Sequence, residues 1–173
     1  LGVCLVDIGG GTTDLAVFTQ GAIRHTAVIP IAGDQVTNDI AMALRTPTIE
    51  AEEIKLHQGV AMQTLVDPAE MIEVPSIGDR APRRLSRESL AAVVQPRVQE
   101  LFELVQAELR RSGYEELLSS GLVLSGGSAR LAGICELGED VFHLPVRVGT
   151  PFYQGPLADV VCQPQYANVM GLI

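Results

Sequence analysis

The stretch Asp7-Ile8-Gly9-Gly10-Gly11-Thr12-Thr13-Asp14 follows directly on the apolar run Val3-Cys4-Leu5-Val6, and a second glycine turn, Leu124-Ser125-Gly126-Gly127-Ser128, follows on Leu122-Val123-Leu124. In both places a buried strand delivers bare backbone to an exposed sheet edge. Without Cβ atoms, successive N–H groups converge on an anion and form a phosphate-binding concavity that needs no lysine. Asp7 at the end of the first strand is placed to hold the water shell of a Mg²⁺ ion brought in by a nucleoside phosphate. Either turn alone reads as a tight hairpin. Both together, with Asp7 and Asp14 flanking the first, point to two walls of one nucleotide site, with Gly9, Gly10, Gly11, Thr12, Thr13, Gly126, Gly127 and Ser128 as its residues.

Around these turns the pattern alternates between strand and helix. Val3 to Ile8, Thr12 to Phe18 and Ile23 to Ile31 read as an antiparallel meander. Val36, Ile40 and Leu44 then recur every four residues, giving a helix capped by Asp34 and ended at Thr46-Pro47. A short helix over 49–58 precedes Met71 to Val74 and Ile77 to Arg80, which read as a small hairpin. Ser86 caps a long helix with Leu90, Val94, Val98, Leu101, Val105 and Leu109 on one stripe and an expected kink at Pro96. The second glycine turn opens a helix bearing Leu131, Ile134, Leu137 and Val141, Val146 to Val148 forms a strand, and residues 167–173 begin a last helix. This is an α/β pattern, a mixed sheet flanked by helices, with the middle of the chain reading as an inserted α+β lobe.

Bulk properties narrow the classes. A chain of 173 residues with 47% apolar content makes one cored domain, with or without an inserted lobe. Twelve Lys and Arg against 21 Asp and Glu give a net charge of −9, which disfavours any sequence-independent grip on nucleic acid. No apolar run approaches the ~20 residues of a membrane span, and no signal segment opens the sequence, so a cytoplasmic setting is expected. Cys4, Cys135 and Cys162 show no metal or CxxC spacing and read as buried thiols. His25, His57 and His143 likewise share no ligand spacing. A start at Leu1, almost inside the first strand, reads as a piece of something longer.

GxxxxGK[ST] and a strand-following GxGxxG are both missing, which sets aside P-loop enzymes and dinucleotide-binding dehydrogenases. The order found here instead resembles the actin, sugar-kinase and Hsp70 ATPase superfamily, with its ribonuclease H-like lobes. Asp7 to Asp14 is similar to that superfamily's second phosphate motif, Leu124 to Gly133 to its adenosine motif, and Ala167 to Ile173 to its second connecting helix. Arg24 to Asp34, Val36 to Ala41, Glu73 to Gly78 and Val141 to Gly149 narrow the resemblance to FtsA, the family of actin-like bacterial cell-division proteins.

The resemblance implies a lobe in which residues 1–47 and 114–173 form the core subdomain IIA and 48–113 the inserted subdomain IIB. It also implies that the full-length protein binds ATP with Mg²⁺ between two lobes and is at most a weak ATPase. Such a protein polymerises as actin does, and fastens the FtsZ ring of the division septum to the inner face of the cell membrane by a C-terminal amphipathic helix that has no counterpart in this chain. Asp7, the lone candidate for positioning an attacking water, would act through Mg²⁺. Alone, the chain is expected to bind ATP weakly and hydrolyse it poorly, because half a site loses the chelation of the other lobe.

Two features stay open. Glu52 and Lys55 lie three apart on one helix face, where relatives hold the ribose and base, and are equally readable as a solvated ion pair. Arg80, Arg83, Arg84, Arg87 and Arg97 reverse the local charge of an acidic chain. They read either as ordinary surface charge or, given this family's use of subdomain IIB, as the grip on the carboxylates of the FtsZ C-terminal tail, with Arg83 and Arg97 as the contacts. Alternatives from other classes are an exopolyphosphatase or sugar kinase, for which no catalytic carboxylate appears beyond Asp7 and Asp14; a chaperone-type ATPase; and an actin-like pilus-assembly protein resembling PilM, whose partner would be a pilus peptide.

Overall fold

The computed structural model describes residues 2–78 and 81–172. Its centre is a five-stranded mixed sheet in the order Ala22–Ile29, Thr13–Thr19, Gly2–Ile8, Leu122–Ser125, Val146–Val148. Strands β1 (Gly2–Ile8), β2 (Thr13–Thr19) and β3 (Ala22–Ile29) form the expected antiparallel meander. After α1 (Gly33–Leu44), α2 (Thr48–Gln58), a hairpin of β4 (Met71–Val74) and β5 (Arg83–Ser86), and α3 (Arg87–Ser112), the chain returns to the sheet. There β6 (Leu122–Ser125) lies parallel to β1 and β7 (Val146–Val148) parallel to β6, with α4 (Ile134–Phe142) crossing between them. Two short helices, α5 (Ala158–Val161) and α6 (Ala167–Gly171), finish the described chain.

Alternation in β1 puts Cys4, Val6 and Ile8 on the core side, and Val3, Leu5 and Asp7 on the other, half-buried face. The core side is covered by the stripe of α3, in which Leu90, Val94, Val98, Leu101, Phe102, Val105 and Leu109 are all buried. Phe102 meets Phe142 of α4 at 5.2 Å between ring centroids. Ser86 does cap α3, its Oγ accepting from the Ser89 N–H at 3.2 Å, and the helix runs on through Pro96. One cluster of buried side chains joins the sheet to Ile72, Val74 and Leu90 of the middle segment.

The structure corrects three sequence expectations. The partner of Met71–Val74 is Arg83–Ser86, not Ile77 to Arg80, of which Asp79 and Arg80 lie outside the described residues. Leu85 pairs with Ile72 and supplies the alternating apolar partner that residues 77–80 lack. Asp34 does not cap α1. The cap position is Ala32, whose N–H donates to Gln35 Oε1 at 2.9 Å, and the first helical N–H groups find acceptors in the glycine turn, so no side-chain cap is needed. The second glycine turn opens a single 3₁₀ turn, Gly127–Arg130, and α4 starts only at Ile134, leaving Leu131 outside the helix.

A charged group ties the edge strand to α3. Glu108 Oε1 lies 2.8 Å from His25 Nε2, and Arg111 donates to both Glu108 oxygens at 2.7 and 2.8 Å. The Arg111 guanidinium, and then His25, hold the Glu108 carboxyl down at about 2, against an ordinary 4.5. A depressed folded-state value adds stability that is complete above the unfolded value and disappears as pH falls through the folded one. Glu108→Gln is therefore expected to flatten the loss of stability between about pH 4.5 and pH 2, read from urea midpoints across that range. Phe102→Ala is expected to cost about 3–5 kcal/mol, seen as a melting temperature lower by roughly 10 °C.

Candidate functional site

Parallel pairing of β1 with β6 sets Asp7 opposite Ser125, so both glycine turns leave the same edge of the sheet side by side. They touch directly: Ser128 Oγ donates to the Gly9 carbonyl at 3.1 Å. Gly126 has a φ of +86°, and a Cβ there would fall on the Asp7 carboxylate and the Ile8 carbonyl, so only glycine fits this crossing.

The first turn is held by α1. Gly33 N–H donates to the Gly9 carbonyl at 3.0 Å and Asp34 N–H to the Gly10 carbonyl at 2.8 Å. All described peptides are trans. A trans peptide points its N–H opposite its C=O. The N–H groups of Gly10 and Gly11 therefore face away from α1, on the solvent side of a turn whose Gly10, Gly11 and Thr12 are exposed. This is the oriented-amide arrangement an anion requires. Thr12 Oγ1 donates to Asp14 Oδ2 at 3.2 Å, on the same exposed side. Thr13 is turned the other way: it is fully buried and its hydroxyl donates to the Ile31 carbonyl at 2.7 Å.

Asp7 is half-buried and lies in register with Asp14. Burial pushes its carboxyl above the ordinary range, the Asn168 side chain draws it back, the Asp14 charge pushes it up, and Ser125 again lowers it. The Ser125 hydroxyl is buried and lacks a well-formed hydrogen bond of its own.

Lys55 and Glu52 of α2 meet this constellation as a pair. Lys55 Nζ lies 2.8 Å from Glu52 Oε2 and donates to Thr37 Oγ1 at 2.8 Å and to the Gly33 carbonyl at 3.1 Å. Thr37 also donates to Glu52. Burial alone would raise the Glu52 carboxyl, but the hydrogen bonds from Lys55 and Thr37 and the Lys55 charge outweigh it and hold it low. Gly33 is the point where three elements converge: a Cβ there would stand 2.6 Å from Ser128 Oγ, 3.2 Å from the Gly9 oxygen and 3.3 Å from Lys55 Nζ. Gly33, Thr37 and Asn168 were not singled out by the sequence pattern. A glycine at the exact join of a strand exit and a helix start was the one available signal for the first of them.

A cavity of about 290 Å³ opens beside this junction. Gly33, Lys55, Gly127 and Ser128 form one side of it, and Arg87 and Arg97 of α3 another. Glu52 faces a neighbouring groove with Asp34 and Thr37.

The two arginines singled out for a partner make internal bonds. Arg97 forms a two-pronged pair with Asp39 of α1, at 2.6 and 3.1 Å, and reaches Glu100 at 2.5 Å. Asp39 is the main reason its guanidinium is held more firmly charged than usual. Exposed Arg83 on β5 donates to the Leu44 carbonyl at the end of α1. Arg84 pairs in register with Glu73, and Arg87 binds Glu70 at 2.8 Å and the Gln58 carbonyl at 2.9 Å.

The chain is similar to known proteins both in fold and in sequence. Among solved structures the chain resembles MreB5 of Spiroplasma citri bound to ADP, with a TM-score of 0.77, 23% identity, and 99% of this chain against 52% of that one. The form of that protein bound to AMPPNP gives a TM-score of 0.71 at 26% identity, with 85% and 47% covered. The fold is thus that of the actin-like ATPases. Among curated proteins, the cell division protein FtsA of Pseudomonas aeruginosa is 64% identical over all 173 residues, and that of Escherichia coli strain K12 is 47% identical over 180. The chain spans 42% and 43% of the length of these two relatives. The profile described as "Cell division protein FtsA" matches residues 4–171, and this chain belongs to the FtsA family of cell-division proteins.

Proposed function

We propose that this chain is one lobe of an actin-like cell-division protein that binds ATP with Mg²⁺ and recruits the FtsZ ring to the inner face of the cell membrane. The observation that carries the nucleotide reading is the Ser128–Gly9 contact at 3.1 Å, which makes two distant glycine turns into one surface beside an apolar cavity. The donor set fits the group: outward backbone N–H at Gly10 and Gly11 for phosphate, a half-buried carboxylate at Asp7 for the metal's water shell, and Gly126, Gly127 and Ser128 for the adenosine. When bound, Mg²⁺-ATP supplies a γ-phosphoryl group open to attack by water.

In this proposal Asp7 orients that water and the metal's hydration shell, and the Asn168 and Ser125 side chains beside its carboxylate favour the charged form. Thr12 fixes Asp14 beside the turn, while Thr13 acts from behind by pinning β2 to the Ile31 carbonyl. Lys55, held between Glu52, Thr37 and Gly33, and Glu52 itself present a polar edge to the ribose. The subdomain division at residues 47/48 and 113/114 belongs to the same reading.

For the partner, Arg83 and Arg97 grip the carboxylates of the FtsZ C-terminal tail. Arg97 then exchanges Asp39 or Glu100 for a carboxylate of the tail, a substitution of like for like in a half-exposed setting. Filament formation by the full-length protein, and attachment to the membrane by a segment outside this chain, complete the proposal. No helix among the described residues is long and apolar enough to cross a membrane.

Asp7→Ala in the full-length protein is expected to lower ATP turnover at least tenfold, measured by phosphate release; an unchanged rate would remove Asp7 from the reaction. A labelled FtsZ tail peptide titrated with the protein should bind saturably by fluorescence anisotropy. Arg83→Glu and Arg97→Glu should each weaken that binding several-fold while thermal melting shows the fold intact, and unchanged affinity in both would place the docking surface elsewhere.

A further inference from the structure

The cavity beside the glycine turns is not uniform in depth. Its mouth is formed by exposed Leu56, His57, Gly127 and Arg130. Its floor is formed by Ile8, Val36, Val98, Leu101 and Ile134, all buried, and contributed by β1, α1, α3 and α4. Protein interiors are packed with few voids larger than a water molecule, so aliphatic core side chains left lining an open space are unusual. A dry pocket of ~150 Å³ lined by aliphatic and aromatic groups is enough to hold one benzene ring. The space here is about 290 Å³, roughly twice that.

The polar groups on its walls have their partners elsewhere. Arg97 is paired with Asp39 and Glu100, Arg87 with Glu70 and the Gln58 carbonyl, and Lys55 with Glu52, Thr37 and Gly33. What those side chains contribute to the interior is therefore their stems. Among the described residues no carboxylate lines the cavity. A ligand entering it meets a polar rim at Gly127, Ser128 and Arg130 and an aliphatic floor behind.

We propose that the nucleotide site has two compartments: the two glycine turns, which take phosphate and sugar, and an aliphatic annex on the Val36, Val98 and Leu101 side, which accepts an apolar group carried on the base. This rests on the nucleotide reading above. The phosphates are drawn to the outward N–H groups of the first turn, so the flat apolar base enters the cavity with its sugar end toward the rim. The edge of adenine remote from the sugar carries the exocyclic amine and faces the annex. The ligand class is thus an adenine nucleotide enlarged by an aromatic ring on that amine, where added apolar area leaves water for an apolar surface.

The test is displacement of a fluorescent ADP analogue from the full-length protein with Mg²⁺, using ADP and N6-benzyl-ADP as competitors. N6-benzyl-ADP is expected to bind within threefold of ADP or tighter. Val36→Phe fills the annex from α1 and Val98→Phe fills it from α3. In whichever variant keeps the parent melting curve, the affinity ratio should shift at least tenfold against the benzyl compound. ADP binding with N6-benzyl-ADP more than tenfold weaker would overturn the annex and leave the nucleotide reading standing. A ratio unmoved in both folded variants would do the same. Displacement by neither compound would overturn the nucleotide reading and the annex with it.

Discussion

Register between β1 and β6 is the constraint on which the rest of the site depends. Asp7 stands opposite Ser125, and a slip of one residue would both separate the two glycine turns and send Asp7 into the core face now occupied by Val6 and Ile8. That register is enforced from both sides of the strand. Alternating core residues in β1 leave only one set that can be buried, and β6 is buried at Leu122, Leu124 and Ser125. The close fit of Gly126 over the Ile8 carbonyl then admits no other crossing. More than a hundred residues separate the turns in sequence, yet the distance between them is set by a few backbone hydrogen bonds.

The strands and their glycine turns were legible in the sequence because period-two patterning and bare backbone are local signals. So was the α3 stripe, every named member of which is buried. What stayed hidden depends on partners far along the chain. Asp34 has the composition of a cap, but its backbone N–H finds the Gly10 carbonyl, and that tertiary bond makes a side-chain cap redundant. The return strand of the small hairpin was misplaced because Ile77-Gly78 carries turn residues near an apolar side chain. Ile72 is matched instead by Leu85, beyond a second proline at Pro82. Thr13 and Thr12 are chemically alike in sequence, yet Thr13 opens β2 on its core side while Thr12 stays in the exposed turn before it.

Charge is distributed in the site by pairing rather than by excess. The chain carries a net charge of −9, yet the charged groups among the described residues that line its largely aliphatic cavity include Lys55, Arg87 and Arg97 and no carboxylate. Each of Lys55, Arg87 and Arg97 is balanced by an acid lying just outside the lining, so the fold keeps its cations ordered without leaving an isolated buried charge. Half-exposed pairs of this kind add little to stability on their own. Their structural value is geometric, since a two-pronged guanidinium–carboxylate pair fixes both distance and orientation.

Helix α1 has a mechanical consequence. Its first peptide groups are bonded to the carbonyls of Gly9 and Gly10, its middle holds Arg97 through Asp39, and its last carbonyl, Leu44, holds Arg83. Twelve residues of α-helix make a strut about 18 Å long, stiff along its axis. A displacement of the first glycine turn along that axis would therefore be passed by the helix to Asp39 and Leu44, the anchorages of the two arginines. The helix is a pushrod with the first glycine turn at one end and the two arginine anchorages along its length.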